Sequence, residues 1–150
     1  MDEIKWIYKP FNELSVSELY NILKLRSEIF VVEQNCVYLD TDDKDQASFH
    51  LCGWLNNNLV AYSRILPPGI AFKEASIGRV STAPSYRKNG AGRRLMEKAI
   101  DITLNQFQGA GIQIGAQLYL NKFYSSLGFY QIGEGYIEDG IPHIHMLFSK

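Results

Sequence analysis

Residues 75–95 constrain this chain most, and there the sequence reads ASIGRVSTAPSYRKNGAGRRL. Residues 75–82 mix β-branched with small side chains, which favours a pleated strand that another group approaches closely. Pro84 ends this strand, and apolar residues recur at helical spacing from Leu95 onward. The stretch therefore predicts a strand, a basic turn that contains glycine, and then the opening of a helix.

The turn between this strand and this helix has the features of an anion site. Gly90 and Gly92 remove side chains where the helix begins, so backbone N–H groups can point at a ligand. The helix end adds a partial positive charge of roughly half a unit. Full positive charges come from Arg87, Lys88, Arg93 and Arg94. A phosphate or pyrophosphate is the simplest ligand for such a cradle. The same residues are also compatible with a helix that merely starts at a turn and has a solvated basic face.

The glycine spacing excludes two common phosphate-binding motifs. A Rossmann fingerprint requires a third glycine where this chain has Leu95, and a Walker A loop requires a terminal Gly-Lys-Ser/Thr, which is absent.

Composition predicts a single globular domain over residues 1–150, with 46% hydrophobic and 21% charged residues. The net charge of −1 gives no general attraction to nucleic acid or to an anionic membrane, so neither is expected as a partner. No apolar run approaches the ~20 residues that span a bilayer, and the N-terminus does not read as a signal peptide. The cytoplasm is therefore the expected location.

Periodicity and turn residues predict the order of the elements. The predicted elements are a strand at 4–8, a helix at 17–30 behind a capping box at 15–18, strands at 49–55, 59–65 and 75–82, a helix at 90–106, a strand at 111–116, a helix at 118–127, and strands at 130–138 and 143–149. Residues 31–38 are expected to form a short helix or a loop beneath the substrate region. A strand–helix–strand crossover after an antiparallel meander implies a mixed sheet with helices on both faces.

Several motifs resemble the GNAT N-acetyltransferase superfamily. Arg87-x-x-Gly90-x-Gly92 directly after a strand resembles its acetyl-CoA signature, and residues 117–129 resemble its helix that ends in apolar-Tyr-x-x-x-Gly-Phe. Three further blocks resemble the ElaA-like branch of that superfamily, namely FVVEQ at 30–34, IGRV at 77–80 and EDGIPH at 138–143. The resemblance covers nearly the whole chain. It implies the α/β GNAT acyl-CoA N-acyltransferase fold, with a mixed antiparallel and parallel sheet of about seven strands.

The resemblance also implies an activity, namely acetyl-CoA-dependent transfer of an acetyl group to a primary amine by direct attack in a ternary complex. The acceptor is a small-molecule or peptidic amine. The residues expected to bind the cofactor are Val80, Thr82, Arg87, Lys88, Asn89, Gly90, Ala91, Gly92, Arg93, Gln117 and Tyr124. Gln117 stands where many family members have an asparagine that holds the pantetheine, so its contact is left open.

In the implied fold the 75–82 strand splays from its parallel neighbour, and the pantetheine arm pairs with the freed strand at Val80 and Thr82. Gly78 is compatible with a bulge in that strand. A backbone N–H near Val80 is expected to stabilise the oxyanion that develops on the thioester carbonyl. Tyr124 holds the family's tyrosine position and is expected to be the general acid for the leaving thiolate, the alternative being a core tyrosine.

The general base is not fixed by the resemblance. The candidates are Glu33, Glu74, Asp139, His143 and a water relay. Glu33 stands first because it lies in an apolar run, where desolvation would raise its pKa. The alternative for Glu33 is a structural ion pair with Arg26 or Arg79.

Two other clusters are not expected to bind metal. His143 and His145 share one face of a predicted strand, but no third ligand completes a site. The acidic run at 40–45 lacks the glycine of an EF-hand loop and is expected to be solvated, with a weaker role in attracting a cationic amine.

The rival functions are a non-catalytic acyl-CoA-binding or sensing module and a nucleotide-phosphate binder. A homodimer is left open.

Overall fold

Seven strands form two antiparallel sheets that touch at one parallel bridge within the part of the chain that is described. The computed structural model describes residues 3–148, and the side chains of Lys88 and Asn89 are outside that description. The helices and strands are β1 (Lys5–Pro10), α1 (Val16–Arg26), β2 (Phe49–Leu55), β3 (Asn58–Leu66), β4 (Ser76–Thr82), α2 (Ala91–Gln106), β5 (Gln113–Gln117), α3 (Asn121–Ser126), β6 (Phe129–Glu138) and β7 (Ile141–Phe148). Their order and type match the sequence prediction.

The two sheets diverge from their point of contact. The first has the order β1-β2-β3-β4 and the second β5-β7-β6. They are linked where Ala75 bridges Ile112 in parallel, because the Gln113 N–H donates to the Ala75 carbonyl at 2.9 Å. Beyond this bridge β4 and β5 share no further pairing among the described residues. The predicted mixed sheet with a V-shaped opening is confirmed.

Helices cover both faces of the first sheet, as predicted. Side chains alternate along β3, so Ala61 and Ile65 pack with Leu95 of α2, whereas Tyr62 packs with Ile22 of α1. The buried residues of α2 recur every three or four positions, which gives the helix one apolar stripe toward the core. Within residues 3–148 no helix is long and apolar enough to cross a membrane.

The first helix begins as predicted and ends earlier. The Ser15 hydroxyl accepts from the Glu18 N–H at 3.0 Å, and the Glu18 carboxylate accepts from the Ser15 N–H at 2.7 Å. This capping box defines the start of α1. After Arg26 the backbone widens into a π-helical turn at Ser27–Glu33, called the π-turn below. The π-turn replaces the last part of the predicted 17–30 helix and carries residues 29–34 to the opening between β4 and β5.

Candidate functional site

The diverging strands β4 and β5 enclose a cavity of about 380 Å³, called the slot below. Its walls come from β4, β5, the π-turn, α3 and the β6–β7 hairpin. Of the residues predicted to bind a cofactor, the slot is lined by Val80, Thr82, Arg87, Gln117 and Tyr124. The remaining ones lie at or next to the start of α2.

A β-bulge interrupts β4 inside the slot. Tyr62 pairs with Ser81 and Arg64 pairs with Gly78, so Arg79 and Val80 together oppose a single residue of β3. Arg79 has a φ of +52°, whereas Gly78 has no left-handed φ. The bulge therefore lies one residue after the predicted position. Because β5 has already diverged, Val80 has no register partner in either neighbouring strand among the described residues.

The left-handed backbone at Arg79 is stabilised through its side chain. The Arg79 guanidinium lies 2.9 Å from a carboxylate oxygen of Asp40 and donates to the Asp40 carbonyl at 2.8 Å. A non-glycine residue in this conformation costs on the order of 1 kcal/mol or more, so a fixed partner is needed to hold it. Tyr38 also binds Asp40, since its hydroxyl donates to the Asp40 carboxylate at 2.7 Å.

The prediction of a solvated acidic loop at 40–45 is wrong. Asp40 and Asp45 are only 8% and 6% exposed. Arg26, which is fully buried, donates to Asp40 at 2.8 Å and to Asp45 at 2.7 Å. Arg64 donates to Asp45 at 2.9 Å and to Asp42 at 2.7 Å. Burial raises the pKa of Asp45, but the hydrogen bonds from Arg26 and Arg64 outweigh burial and hold that pKa below its usual range. These residues form the buried charge network, which consists of Arg26, Asp40, Asp42, Asp45, Arg64 and Arg79.

The expected pKa elevation of Glu33 is also wrong. The Glu33 side chain is 41% exposed and accepts two hydrogen bonds from Arg87, at 2.5 and 2.6 Å. These bonds lower the pKa of the Glu33 carboxyl. Its partner is neither Arg26 nor Arg79, the two arginines considered from the sequence. The role of Glu33 as a base stays a prediction.

Gln117 contacts the π-turn across the slot. The Gln117 amide donates to Gln34 at 3.2 Å, and the Gln34 amide donates back at 3.4 Å. This reciprocal pair ties β5 to the segment that carries Glu33. Both glutamines line the slot.

Tyr124 is both a core residue and a wall of the slot. Its ring packs against Phe123 and Phe129, with centroid distances of 5.2 and 5.9 Å, and the residue is 7% exposed. Burial, assisted by the charge of Tyr119, raises the pKa of Tyr124 to about 12. The hydroxyl is therefore protonated at neutral pH, which is the form that a proton donor needs.

The start of α2 leaves room for a ligand. Gly90 has a φ of +69°, which favours glycine. A Cβ at Gly92 would meet only the Thr82 methyl, at 4.0 Å, so packing inside the chain does not require glycine there. Ala91 is fully buried and can offer only its backbone. Arg93 donates to the Ser126 hydroxyl. Lys88 and Asn89 lie in the 3₁₀ turn Pro84–Asn89, but their side chains are outside the described part.

The β6–β7 hairpin supplies an aromatic stack that the sequence did not predict. The Tyr136 ring stacks on His143 and on His145, with centroid distances of 5.6 and 4.5 Å. A Cβ at Gly115 would lie 2.7 Å from the Tyr136 hydroxyl, so glycine at 115 makes room for the stack. The pattern His-x-His predicts that His143 and His145 share one face of a strand, but no neighbouring residue in the sequence indicates that Tyr136 packs against them. In residues 3–148 no group of three or more His, Cys, Asp and Glu is arranged to hold a metal ion.

The other base candidates separate by position. His143 and Asp139 line the slot, whereas Glu74 does not and lies beside Gly111, at the closed end of the V.

Comparison with known proteins gives consistent matches. The family model for the acetyltransferase (GNAT) domain matches residues 31–150. The UPF0039 protein of Synechocystis is 42% identical over 97% of this chain and 96% of its own length. Protein ElaA of Escherichia coli is 43% identical over 95% of each chain, and its crystal structure superposes with a TM-score of 0.91 over 97% of this chain and 99% of that one. An acyl-CoA N-acyltransferase from Pseudomonas aeruginosa is 36% identical, with a TM-score of 0.93 over 97% and 99% of the two chains.

Proposed function

Because the chain belongs to the GNAT acyltransferase family and to its ElaA-like branch, we propose that it transfers an acetyl group from acetyl-CoA to a primary amine. The observation that carries the proposal is the slot itself. It is lined by Val80, which has no register partner in a strand, and by Arg87, and it ends close to the start of α2. An extended amide chain with a diphosphate at one end fits both features.

In the proposed complex the diphosphate of coenzyme A lies at residues 87–93. Backbone N–H groups at the start of α2 and the guanidinium of Arg87 are the donors. Lys88, Asn89 and Arg93 complete the set of predicted contacts. The diphosphate takes the place of the Glu33 carboxylate on Arg87, since both are anions that accept paired hydrogen bonds. The pantetheine follows β4 past Thr82 and Val80, beside Gln117.

The acyl transfer then needs three groups. The amine nitrogen attacks the thioester carbon, and the carbonyl electrons move to oxygen, where the Val80 N–H stabilises the charge. The carbon–sulfur bond breaks with its electron pair on sulfur, which takes a proton from Tyr124. A base removes one proton from the attacking nitrogen. Glu33 is the base predicted from the sequence, although its pairing with Arg87 lowers the pKa of the carboxyl and so makes the carboxylate a weaker base. A cytoplasmic location and a homodimer stay predictions.

The first experiment measures thiol release from acetyl-CoA with a panel of primary amines, which includes amino acids, polyamines, arylalkylamines and a peptide N-terminus. Release that depends on an amine, with the acetylated product detected by mass spectrometry, is the expected result. Binding of acetyl-CoA without such release would favour the sensing module. Competition by ATP at equal concentration would favour the nucleotide binder.

Gly92→Asp tests the diphosphate site. Aspartate suits a helix start, so the variant is expected to fold, while its carboxylate repels the diphosphate. We expect acetyl-CoA affinity, measured by isothermal titration, to fall by about 100-fold or more, because charge-assisted hydrogen bonds are each worth roughly 1.5–3 kcal/mol. Gly92→Asn is the matched neutral control, and its acetyl-CoA affinity should fall much less. Equal affinities of the two variants would contradict the site.

Tyr124→Phe tests the proposed acid. Removal of a general acid slows turnover by roughly 10²–10⁴-fold, while the aromatic packing with Phe129 is retained. We expect acetyl-CoA affinity to change by less than about threefold, since only one hydroxyl is lost. Phe123→Leu, which alters the neighbouring ring without touching the hydroxyl, is the packing control. Unchanged turnover in Tyr124→Phe would exclude the role.

A further inference from the structure

The two faces of the second sheet supply different groups to the slot. Tyr124 packs on the core face, together with Ile114, Ala116 and Ile144. Alternation along the strands puts Gln117 and its register partner His143 on the opposite face. Tyr124 and His143 nevertheless both line the slot. A thioester held in the V would have one of these residues on each side.

The hydrogen bonds of His143 define which ring nitrogen is basic. Its Nδ1 lies 2.7 Å from the Ile141 carbonyl oxygen, which can only accept. Nδ1 therefore carries the hydrogen in the neutral ring, and the lone pair is on Nε2. The residue is 9% exposed and its ring is stacked on Tyr136, so the orientation of Nε2 is restrained.

A carboxylate lies near Nε2 of this ring. Nε2 lies 3.8 Å from the carboxylate of Glu138, which is too far for a hydrogen bond, and the Glu138 side chain is 61% exposed. Tyr136 stacks on the ring of His143 but does not line the slot. The titratable residues Cys36, Tyr38 and Asp139 do line it, and the Cys36 Sγ lies 3.5 Å from the Asp139 carbonyl oxygen. Glu33, by contrast, is bound by Arg87, beside the proposed diphosphate site.

From this geometry we propose that His143 is the general base for the acceptor amine, an inference that rests on the proposed function. As the amine nitrogen forms its bond to the thioester carbon, one N–H proton passes to Nε2 of His143. The thiolate leaves with the carbon–sulfur electron pair and takes the proton of Tyr124. The imidazolium then loses its proton and the Tyr124 phenolate gains one, both through solvent. The net change is one proton moved from nitrogen to sulfur.

The test compares His143→Gln with His145→Gln. Glutamine keeps a donor for the Ile141 carbonyl but is not a base. His145 is the matched control, because it lies on the same strand and face, also stacks on Tyr136 and does not line the slot. With the fastest amine of the panel, we expect kcat/KM to fall by roughly 10²–10⁴-fold in His143→Gln. In His145→Gln it should stay within about threefold of wild type, because His145 does not line the slot. Acetyl-CoA affinity should be retained in both.

Chemical rescue keeps the test valid if His143→Gln is poorly folded. In His143→Ala we expect added imidazole to restore part of the turnover, and pyrazole, a ring of similar size but weak basicity, to restore none. Equal rescue by both rings would indicate a packing role and overturn the proposal. A wild-type rate in His143→Gln, or a loss that appears only in Glu33→Gln, would overturn it while the acetyltransferase activity stands. Absence of amine-dependent release from the wild-type protein would overturn the proposed function as well.

Discussion

Two sets of ion pairs join the segment 33–45 to the rest of the chain, and they differ in how tightly they are held. In the buried charge network Arg26 is completely buried and contacts two carboxylates. The pair between Glu33 and Arg87 is 41% and 39% exposed on its two side chains and has a single carboxylate. Burial makes the first set costly to break, since an unpaired charge cannot return to water. Exposure makes the second exchangeable, because water or another anion can replace either partner. The network therefore holds the bulge at Arg79, whereas the exposed pair occupies a site that a ligand can take over.

The largest expected effect is a difference in stability loss when an arginine of each set is replaced by glutamine. Arg26→Gln leaves Asp40 and Asp45 without their main partner, and we expect the free energy of unfolding to fall by about 3–5 kcal/mol. Arg87→Gln should lower it by no more than about 1 kcal/mol. Urea unfolding followed by circular dichroism measures both. Similar losses in the two variants would contradict the distinction between a fixed and an exchangeable pair.

Acid should weaken the buried network in a defined pH range. Burial raises the pKa of Asp42, but Arg64 and Arg79 outweigh it and lower that pKa, as Arg26 and Arg64 do for Asp45. The unfolded chain, with an aspartate pKa of about 3.9, then binds protons more readily than the folded one. The stabilisation is full above that pH and is lost as pH falls toward the folded values. Unfolding free energies should decline steeply below about pH 4–5, and the slope should be smaller in Asp45→Asn. A slope that Asp45→Asn leaves unchanged would exclude the network as its source.

The smallest effect is expected from the loss of the exposed carboxylate. Glu33→Gln removes the anion that occupies Arg87, so acetyl-CoA should bind more tightly, by up to about fivefold, the equivalent of an exposed pair worth about 1 kcal/mol or less. Unfolding free energy should be nearly unchanged. Isothermal titration at two salt concentrations checks the result, because the gain should shrink at high salt. Glu28→Gln, also on the π-turn, is the control. Weaker binding in Glu33→Gln would show that the carboxylate contributes to the site.

The strand end and the helix start around the proposed diphosphate site were predictable, because their determinants are close together in the chain. Gly90 and Gly92 define the start of α2, and Pro84 ends the strand before it. The bulge was misplaced by one residue, since nothing near Arg79 in the sequence shows that Asp40, 39 positions earlier, holds its side chain.

The sequence by itself determined the elements, their order and the family, since caps such as Ser15 with Glu18 and the apolar stripe of α2 depend on neighbours three or four residues apart. Only the tertiary structure decided which charges are buried and which partners they find. Glu33 meets Arg87 across 54 positions and Gln34 meets Gln117 across 83. The pKa of a carboxyl such as that of Glu33 depends on such distant partners, because the interactions that set it act through space over a few ångströms and not along the chain.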